Sequence, residues 1–183
     1  VSPAVLLGFK GQPTNICGGV FDKNLLPLPP KMNPNILRIV SPKASIESNK
    51  GDWCWHGLAH VYYKNHRMKG SQICYLHPNT PQAEVLFSAP FSYAQNTFFA
   101  HASQGALWVE SKEIHAKDIT YRFDYRRKTL TDTKGGYASN DYTGWGQAKD
   151  LVGTPKSNYT IDDATFSTCS PKNPTWHVHA KKL

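Results

Sequence analysis

The segments Gly105-Ala-Leu-Trp-Val109 and Ile114-His-Ala-Lys-Asp-Ile119 decide the fold class of this chain. Successive side chains of a β-strand point to opposite faces, so Ile114 and Ala116 share one face of the second segment. Ile119 follows Ala116 by three residues rather than two, which predicts a β-bulge that bends the strand and lets its sheet curl. The first segment is predicted to be the neighbouring strand.

The same spacing recurs in Ile39-Val-Ser-Pro-Lys-Ala44 and Met68-Lys-Gly-Ser-Gln-Ile73. Such repeats predict stacked β-units that form an elongated sandwich or jelly roll. The pattern 62–68 is typical of a hairpin with Asn65 in its turn, and no segment has the start and stop signals of an amphipathic helix. The predicted strands that complete the set are 36–40, 44–46, 57–63, 68–76, 84–87, 97–100, 105–110 and 114–123.

The composition also favours an all-β domain. The 183 residues suffice for one domain with a sizeable core. Thirteen glycines and thirteen prolines indicate short elements separated by turns, and 9 Tyr, 8 Phe and 5 Trp favour strands. Residues 1–35 are predicted to be an irregular lead-in, because prolines such as Pro13, Pro27 and Pro30 block regular structure. Residues 36–183 are predicted to form the β domain.

The charge of the chain favours an acidic partner. The formal net charge is +8, but the basic residues are scattered and cluster only at 126–128 and 181–182. This distribution predicts no nucleic-acid partner and leaves two interpretations, a solvated basic surface or contact with the phosphates of a glycolipid headgroup. No apolar run approaches the roughly 20 residues of a membrane-spanning helix.

The repeated units resemble the OstA-type domain shared by lipopolysaccharide (LPS) transport proteins of the LptA, LptC and LptD families. In those families a Gly-x-Val strand and a Gly-Asn turn precede Leu/Ile-x-Ala-Asp-x-Val. Here one unit carries His60-Val-Tyr-Tyr63, Asn65 and the segment that begins at Met68. Another unit carries the two segments quoted first. The resemblance implies an OstA-like β-jelly roll, an elongated and slightly open antiparallel sandwich.

The two ends of the chain narrow the resemblance to the LptD family. The strand pattern from Tyr159 to Cys169 is followed by Ser-Pro-Lys-Asn-Pro-Thr and Trp176. This ending is similar to the junction where the periplasmic N-terminal domain of that family meets its β-barrel. Cys17, in Thr-Asn-Ile-Cys-Gly-Gly-Val, is similar to the first cysteine of the family. The resemblance covers about residues 15–183, and the barrel lies outside this sequence.

The four cysteines lack a Cys-x-x-Cys pair and so give no zinc or thioredoxin signature. An even number fits an oxidising compartment. Cys54 and Cys74 lie on predicted adjacent strands, so they form either a local disulfide or two buried thiols. The resemblance implies that Cys17 and Cys169 form disulfides with cysteines near the far end of the barrel.

The resemblance implies a role in LPS transport without enzymatic activity and without a cofactor or metal. The domain would lie on the periplasmic side of the outer membrane, receive LPS from an LptA-like bridge protein and pass it to its own β-barrel. An LptE-like lipoprotein would complete the complex. The bridge would add a strand to an exposed sheet edge, formed by Ile36, Leu37, Arg38, Ile39 and Val40.

Strand alternation selects the residues that would face an apolar trough between two sheets. Burial of acyl chains there would stabilise a complex by roughly 25 cal/mol per Å² of apolar surface. Any β-sandwich buries the same positions as its core, so both interpretations stay open. The trough candidates are Val61, Tyr63, Met68, Ile73, Leu107, Val109, Ile114 and Ile119.

Two other functions are compatible with the sequence. A carbohydrate-binding sandwich is suggested by aromatic residues that stack on sugars, and the candidate tryptophans are Trp53, Trp55, Trp108, Trp145 and Trp176. A cupin-like metal enzyme is suggested by His177 and His179, which share one strand face, with Glu110 and His115 as further ligands. The chain contains no Gly-x-Ser-x-Gly, P-loop or HExxH motif.

Overall fold

Almost all regular structure of the chain is antiparallel β-sheet, which confirms the predicted all-β class. The computed structural model describes residues 2–11, 20–22, 25–26, 33–130, 137–155, 158–169, 171–172 and 177–183. It contains one short helix, α1 (Pro3–Leu6). The strands are β1 (Phe9–Gly11), β2 (Val20–Phe21), β3 (Arg38–Val40), β4 (Ser45–Asn49), β5 (Asp52–Tyr63), β6 (His66–Leu76), β7 (Glu84–Phe87), β8 (Phe91–Gln95), β9 (Phe98–Ala102), β10 (Gln104–Trp108), β11 (Ile114–Leu130), β12 (Tyr137–Gly153), β13 (Tyr159–Phe166) and β14 (Val178–Lys182).

Strands β3 to β14 form one antiparallel meander that folds back on itself along a single line. Strand β5 pairs with both β3 and β4, β6 with both β7 and β8, and β11 with both β9 and β10. Each of these short pairs therefore consists of the two halves of one bent strand. We call the half that contains β4, β7 and β10 the first layer, and the half that contains β3, β8 and β9 the second layer.

Three of the strands, β5, β11 and β13, cross the fold line at a residue with a left-handed backbone. These residues are Gly57 (φ +119°), Asp118 (φ +49°) and Asp163 (φ +51°). The predicted bulge before Ile119 is wrong in its mechanism, because the pairing of β11 with β12 keeps one register on both sides of Asp118. The strand bends there through backbone conformation and not through an inserted residue. A register shift does occur in β5, between His56 and Ala59.

The core lies between the two layers, where alternate side chains of every strand point inward. In β7, Val85 and Phe87 are buried, whereas Leu86 between them points outward and is half-buried. Phe87 stacks on Phe91 across the fold line, with 4.3 Å between the ring centroids. The hydrophobic interior therefore runs across the strands from one edge of the sheet to the other.

The described part of the lead-in is ordered against the outer face of the second layer, in contrast to the irregular segment that we predict from its prolines. Helix α1 begins at Pro3, a position where a missing amide costs no hydrogen bond. Leu7, Phe21 and Leu26 are buried in a second cluster with Ala94, Phe99 and Trp145. Pro13, Pro27 and Pro30 lie outside the described residues.

Arg122 fixes this lead-in to the sheet. Its side chain is 2% exposed, and its guanidinium donates hydrogen bonds to the backbone carbonyls of Leu7 and Asp22. It also forms an ion pair with Asp124 at 3.2 Å. Burial lowers the pKa of Arg122, but the neighbouring carboxylates favour the charged form. One side chain thus satisfies two backbone carbonyls, at Leu7 and Asp22, which lie 115 and 100 residues away in sequence.

We expect Arg122→Met to detach the lead-in, because it leaves these carbonyls and Asp124 without their cationic donor. Unfolding in urea should show a loss of about 3 kcal/mol, the scale for breaking a buried charge pair. Limited proteolysis should then cleave before residue 27 more rapidly. The exposed Arg38 on β3 provides the control, Arg38→Met, and equal effects of the two variants would contradict this role.

Candidate functional site

The predicted trough residues all lie in the interior between the two layers. Six of them are at most 2% exposed, and the other two are half-buried and pack against the same cluster. The buried six are Val61, Met68, Ile73, Leu107, Ile114 and Ile119, and the half-buried two are Tyr63 and Val109. The interior therefore offers one continuous apolar surface, and its contact with lipid stays a prediction.

A buried hydrogen-bond network joins the layers at the side opposite the fold line. Tyr159 of β13, in the first layer, donates its hydroxyl proton to Gln95 of β8, in the second layer. The Tyr93 hydroxyl donates to the same Gln95 oxygen at 3.2 Å. His66 Nδ1 lies 2.6 Å from the Tyr93 oxygen, and the tautomer of the imidazole decides which of the two groups donates. We call these four residues the interlayer network.

The interlayer network is uncharged at neutral pH. Burial lowers the pKa of His66 from 6.5 to about 4, and burial raises the pKa of Tyr159 to about 12. The pKa of Tyr93 is also raised, mainly by burial. The ring of Tyr159 stacks on Phe98 with 4.2 Å between centroids, so apolar contact surrounds the hydroxyl groups. The layers are thus held together by neutral bonds inside an apolar shell.

The lowered pKa of His66 predicts a specific dependence of stability on pH. The unfolded chain takes up this proton near pH 6.5, whereas the folded chain takes it up near pH 4. The free energy of unfolding should therefore fall as the pH falls between these values, by about 2 kcal/mol at pH 5. His66→Gln, which keeps a neutral donor, should lose this part of the pH dependence.

Urea unfolding at pH 7.5 and pH 5 measures this difference for the wild type, for His66→Gln and for a control, His77→Gln, at an exposed turn. An unchanged pH dependence in His66→Gln would show that His66 is not responsible.

Of the predicted partner edge, residues 36–40, the last three form β3 (Arg38–Val40). This strand pairs with β5 along one side, and no other described strand pairs with it. Ile36 is 59% exposed, and Leu37 packs partly against the core. At the other end of the sheet, β14 pairs only with β13 among the described strands. Within the described residues, β3 and β14 therefore each have one backbone edge that no other strand pairs with.

Comparison with curated proteins identifies relatives that cover almost the whole chain. The LPS-assembly protein LptD of Legionella pneumophila strains Lens, Paris and Philadelphia 1 is 21% identical to it over 185 aligned positions. This alignment covers 98% of the chain. The predicted resemblance to LptD is confirmed. No family model matches the chain.

The chain spans about a fifth of the length of these LptD proteins, since the alignment covers 20% of each. Their name assigns them to LPS assembly and does not describe an enzyme. No helix in the described part of the chain has the length and apolar character needed to cross a membrane. What the whole LptD proteins bind and assemble with is therefore a matter of proposal for this chain.

The three cysteines that the structure describes are disulfide-bonded. Cys54 and Cys74 form a disulfide between β5 and β6, the local alternative left open by the sequence. Cys169 is 1% exposed and is itself disulfide-bonded. The pairing of Cys169 with a cysteine of a barrel, which the resemblance implies, stays a prediction. Cys17 and Trp176 lie outside the described residues.

The histidines proposed for a cupin-like site have other surroundings. His179 is exposed and lies 2.8 Å from a carboxylate oxygen of Asp163. His115 lies on β11 near Glu113, at 3.9 Å. Within the described residues, no three His, Cys, Asp or Glu side chains are grouped so that they could hold a metal ion. The structure therefore gives no support to the metal-enzyme alternative.

None of the four residues of the interlayer network was predicted from the sequence as a site residue; these are His66, Tyr93, Gln95 and Tyr159. Gln95 and Tyr93 share one face of β8 with buried Phe91. The alternation Phe-x-Tyr-x-Gln is the signal that could have identified the strand. The burial of the polar residue Gln95 at the end of this strand could not be predicted, because its hydrogen-bond partner Tyr159 is 64 residues away in sequence.

Proposed function

We propose that this chain is the periplasmic domain of an outer-membrane LptD-type protein and binds the acyl chains of lipid A between its two layers. The single apolar interior carries this proposal, because it is enclosed by one folded sheet in a chain similar to LPS-assembly proteins over 98% of its length. The proposed role is transport without catalysis or a cofactor.

The lipid would replace contacts that the layers make with each other. Val61, Leu107 and Ile114 are fully buried, so the layers must separate before acyl chains reach them. The fold line keeps them joined on one side, and the interlayer network is the polar connection on the other. Burial of lipid then gains roughly 25 cal/mol per Å² of apolar surface, while the phosphorylated headgroup stays in water near basic side chains of a chain with net charge +8.

The two sheet edges supply the proposed direction of transport. An LptA-like bridge would add a strand beside β3, along residues 36–40, through backbone hydrogen bonds. The interior would then continue from the bridge into this domain. At the β14 end, LPS would pass to the β-barrel of the same protein, with an LptE-like lipoprotein in the complex.

Photo-crosslinking tests the lipid site directly. A photoreactive residue at Leu107 or Val61, both 0% exposed, should form adducts with purified LPS that are detected by mass spectrometry. The control position is Leu58, which lies on the same strand as Val61 but is 48% exposed. Adducts at the interior positions and not at Leu58 support the proposal. A folded domain that captures LPS at Leu58 alone, or nowhere, contradicts it.

Loosening the interlayer network should increase lipid capture. Tyr159→Phe removes the hydrogen bond to Gln95 and keeps the ring that stacks on Phe98. We expect a loss of about 1 kcal/mol in unfolding free energy and a higher yield of LPS adducts at Leu107. Tyr62→Phe, on the same sheet but outside the network, is the control. Adduct yields that fall, or that equal the wild type, would mean that the network does not restrict opening.

A further inference from the structure

The outer face of the first layer contains a recess that the proposed lipid site does not use. Its volume is about 420 Å³, within the range of small-molecule sites. Ala106 of β10 provides a small, buried side chain, with Leu86 of β7 and His115 of β11 as its neighbours across the sheet. Large side chains around a small one leave space above the sheet, so the recess follows from the residue sizes in this row.

The recess has an apolar side and a polar side. Trp108 lies at the apolar side, where its indole packs against His115 with 4.6 Å between ring centroids. On the polar side, Gln104, Lys117 and Asp150 lie next to one another on β10, β11 and β12. All three are exposed, and their side chains have no hydrogen bond or ion pair within the described part of the chain. They are therefore free to bind a ligand.

The charges of this polar row select the class of ligand. Lys117 and Asp150 are cross-strand neighbours, so an anion beside the lysine meets a carboxylate, and a cation beside the carboxylate meets an ammonium group. A neutral group with several hydroxyls suits both, since it donates to Asp150 and accepts from Lys117, while Gln104 does either. A sugar ring adds an apolar C–H face that packs on an aromatic ring such as Trp108.

We propose that this recess binds a neutral saccharide unit, with one face of the sugar against Trp108 and its hydroxyls on Gln104, Lys117 and Asp150. The site is separate from the interior, because Leu107 next to Trp108 points to the opposite face of β10 and is 0% exposed. The inference extends the proposed function, and it does not depend on lipid binding. If both hold, the domain contacts the acyl and saccharide parts of a glycolipid on opposite faces of one sheet.

Isothermal titration calorimetry of the full chain tests the site with two probes. One is the lipid-free polysaccharide released from LPS by mild acid, and the other is maltoheptaose, an unrelated neutral glycan. We expect binding of the polysaccharide, and Trp108→Ala should weaken it about tenfold. Asp150→Ala, at an exposed position on β12, should weaken it in the same direction. Trp53→Ala, at a 45% exposed tryptophan outside the recess, is the matched control.

The outcomes separate this site from the lipid proposal. Binding of both probes that is lost in Trp108→Ala supports a general saccharide site, and binding of the LPS polysaccharide alone supports a selective one. The absence of binding by either probe, or equal affinity in Trp108→Ala, Asp150→Ala and the wild type, overturns the proposal. LPS adducts at Leu107 should form normally in Trp108→Ala, and their loss together with saccharide binding would show that the recess is not an independent site.

Discussion

The bend that all the long strands share is the constraint on which the rest of the structure depends. Both layers belong to one sheet, so backbone hydrogen bonds continue across the bend and close one side of the interior. The bend requires residues that accept close approach: a side chain at Gly105 would place its Cβ 2.5 Å from the His115 carbonyl and 2.8 Å from the Phe91 ring. Because this side is fixed, only the opposite side is free to open, and the interlayer network lies there.

The chemistry of that network fits the opening of the layers that the proposed lipid binding requires. A buried ion pair resists separation, since removing one partner leaves a charge in an apolar site. His66, Tyr93, Gln95 and Tyr159 are neutral under physiological conditions, and each hydrogen bond between neutral groups contributes only about 1 kcal/mol net. Water can replace these bonds when the layers part. The contacts of Arg122 on the outer face are the opposite case. Its hydrogen bonds to Leu7 and Asp22 and its ion pair with Asp124 form a charged connection that keeps the lead-in attached.

Sequence alone predicted what depends on local alternation and missed what depends on distant contacts. The trough candidates from Val61 to Ile119 were identified as an inward-facing set because buried strands alternate with period two. Strand β8 was missed because Pro90 separates it from β7, although the two are halves of one bent strand. The order of the lead-in could not be predicted, since its anchor, Arg122, is 115 residues from Leu7. The buried hydrogen bonds of Gln95 were missed for the same reason, because its partner Tyr159 is 64 residues away in sequence.

The direction of the interior constrains any partner that extends it. The apolar surface runs perpendicular to the strands, so a strand added beside β3 lengthens the interior rather than capping it. The edge is itself bent, because β3 and β4 pair with β5 in different layers. The two strands are separated at Ala44, which packs so closely on Gly57 that a Cβ added to this glycine would lie 3.2 Å from it. A straight strand would pair with one layer only and leave the other layer's core open to water. Continuity of both layers therefore requires a partner that bends at the same line, which favours a sheet of the same architecture over an isolated peptide.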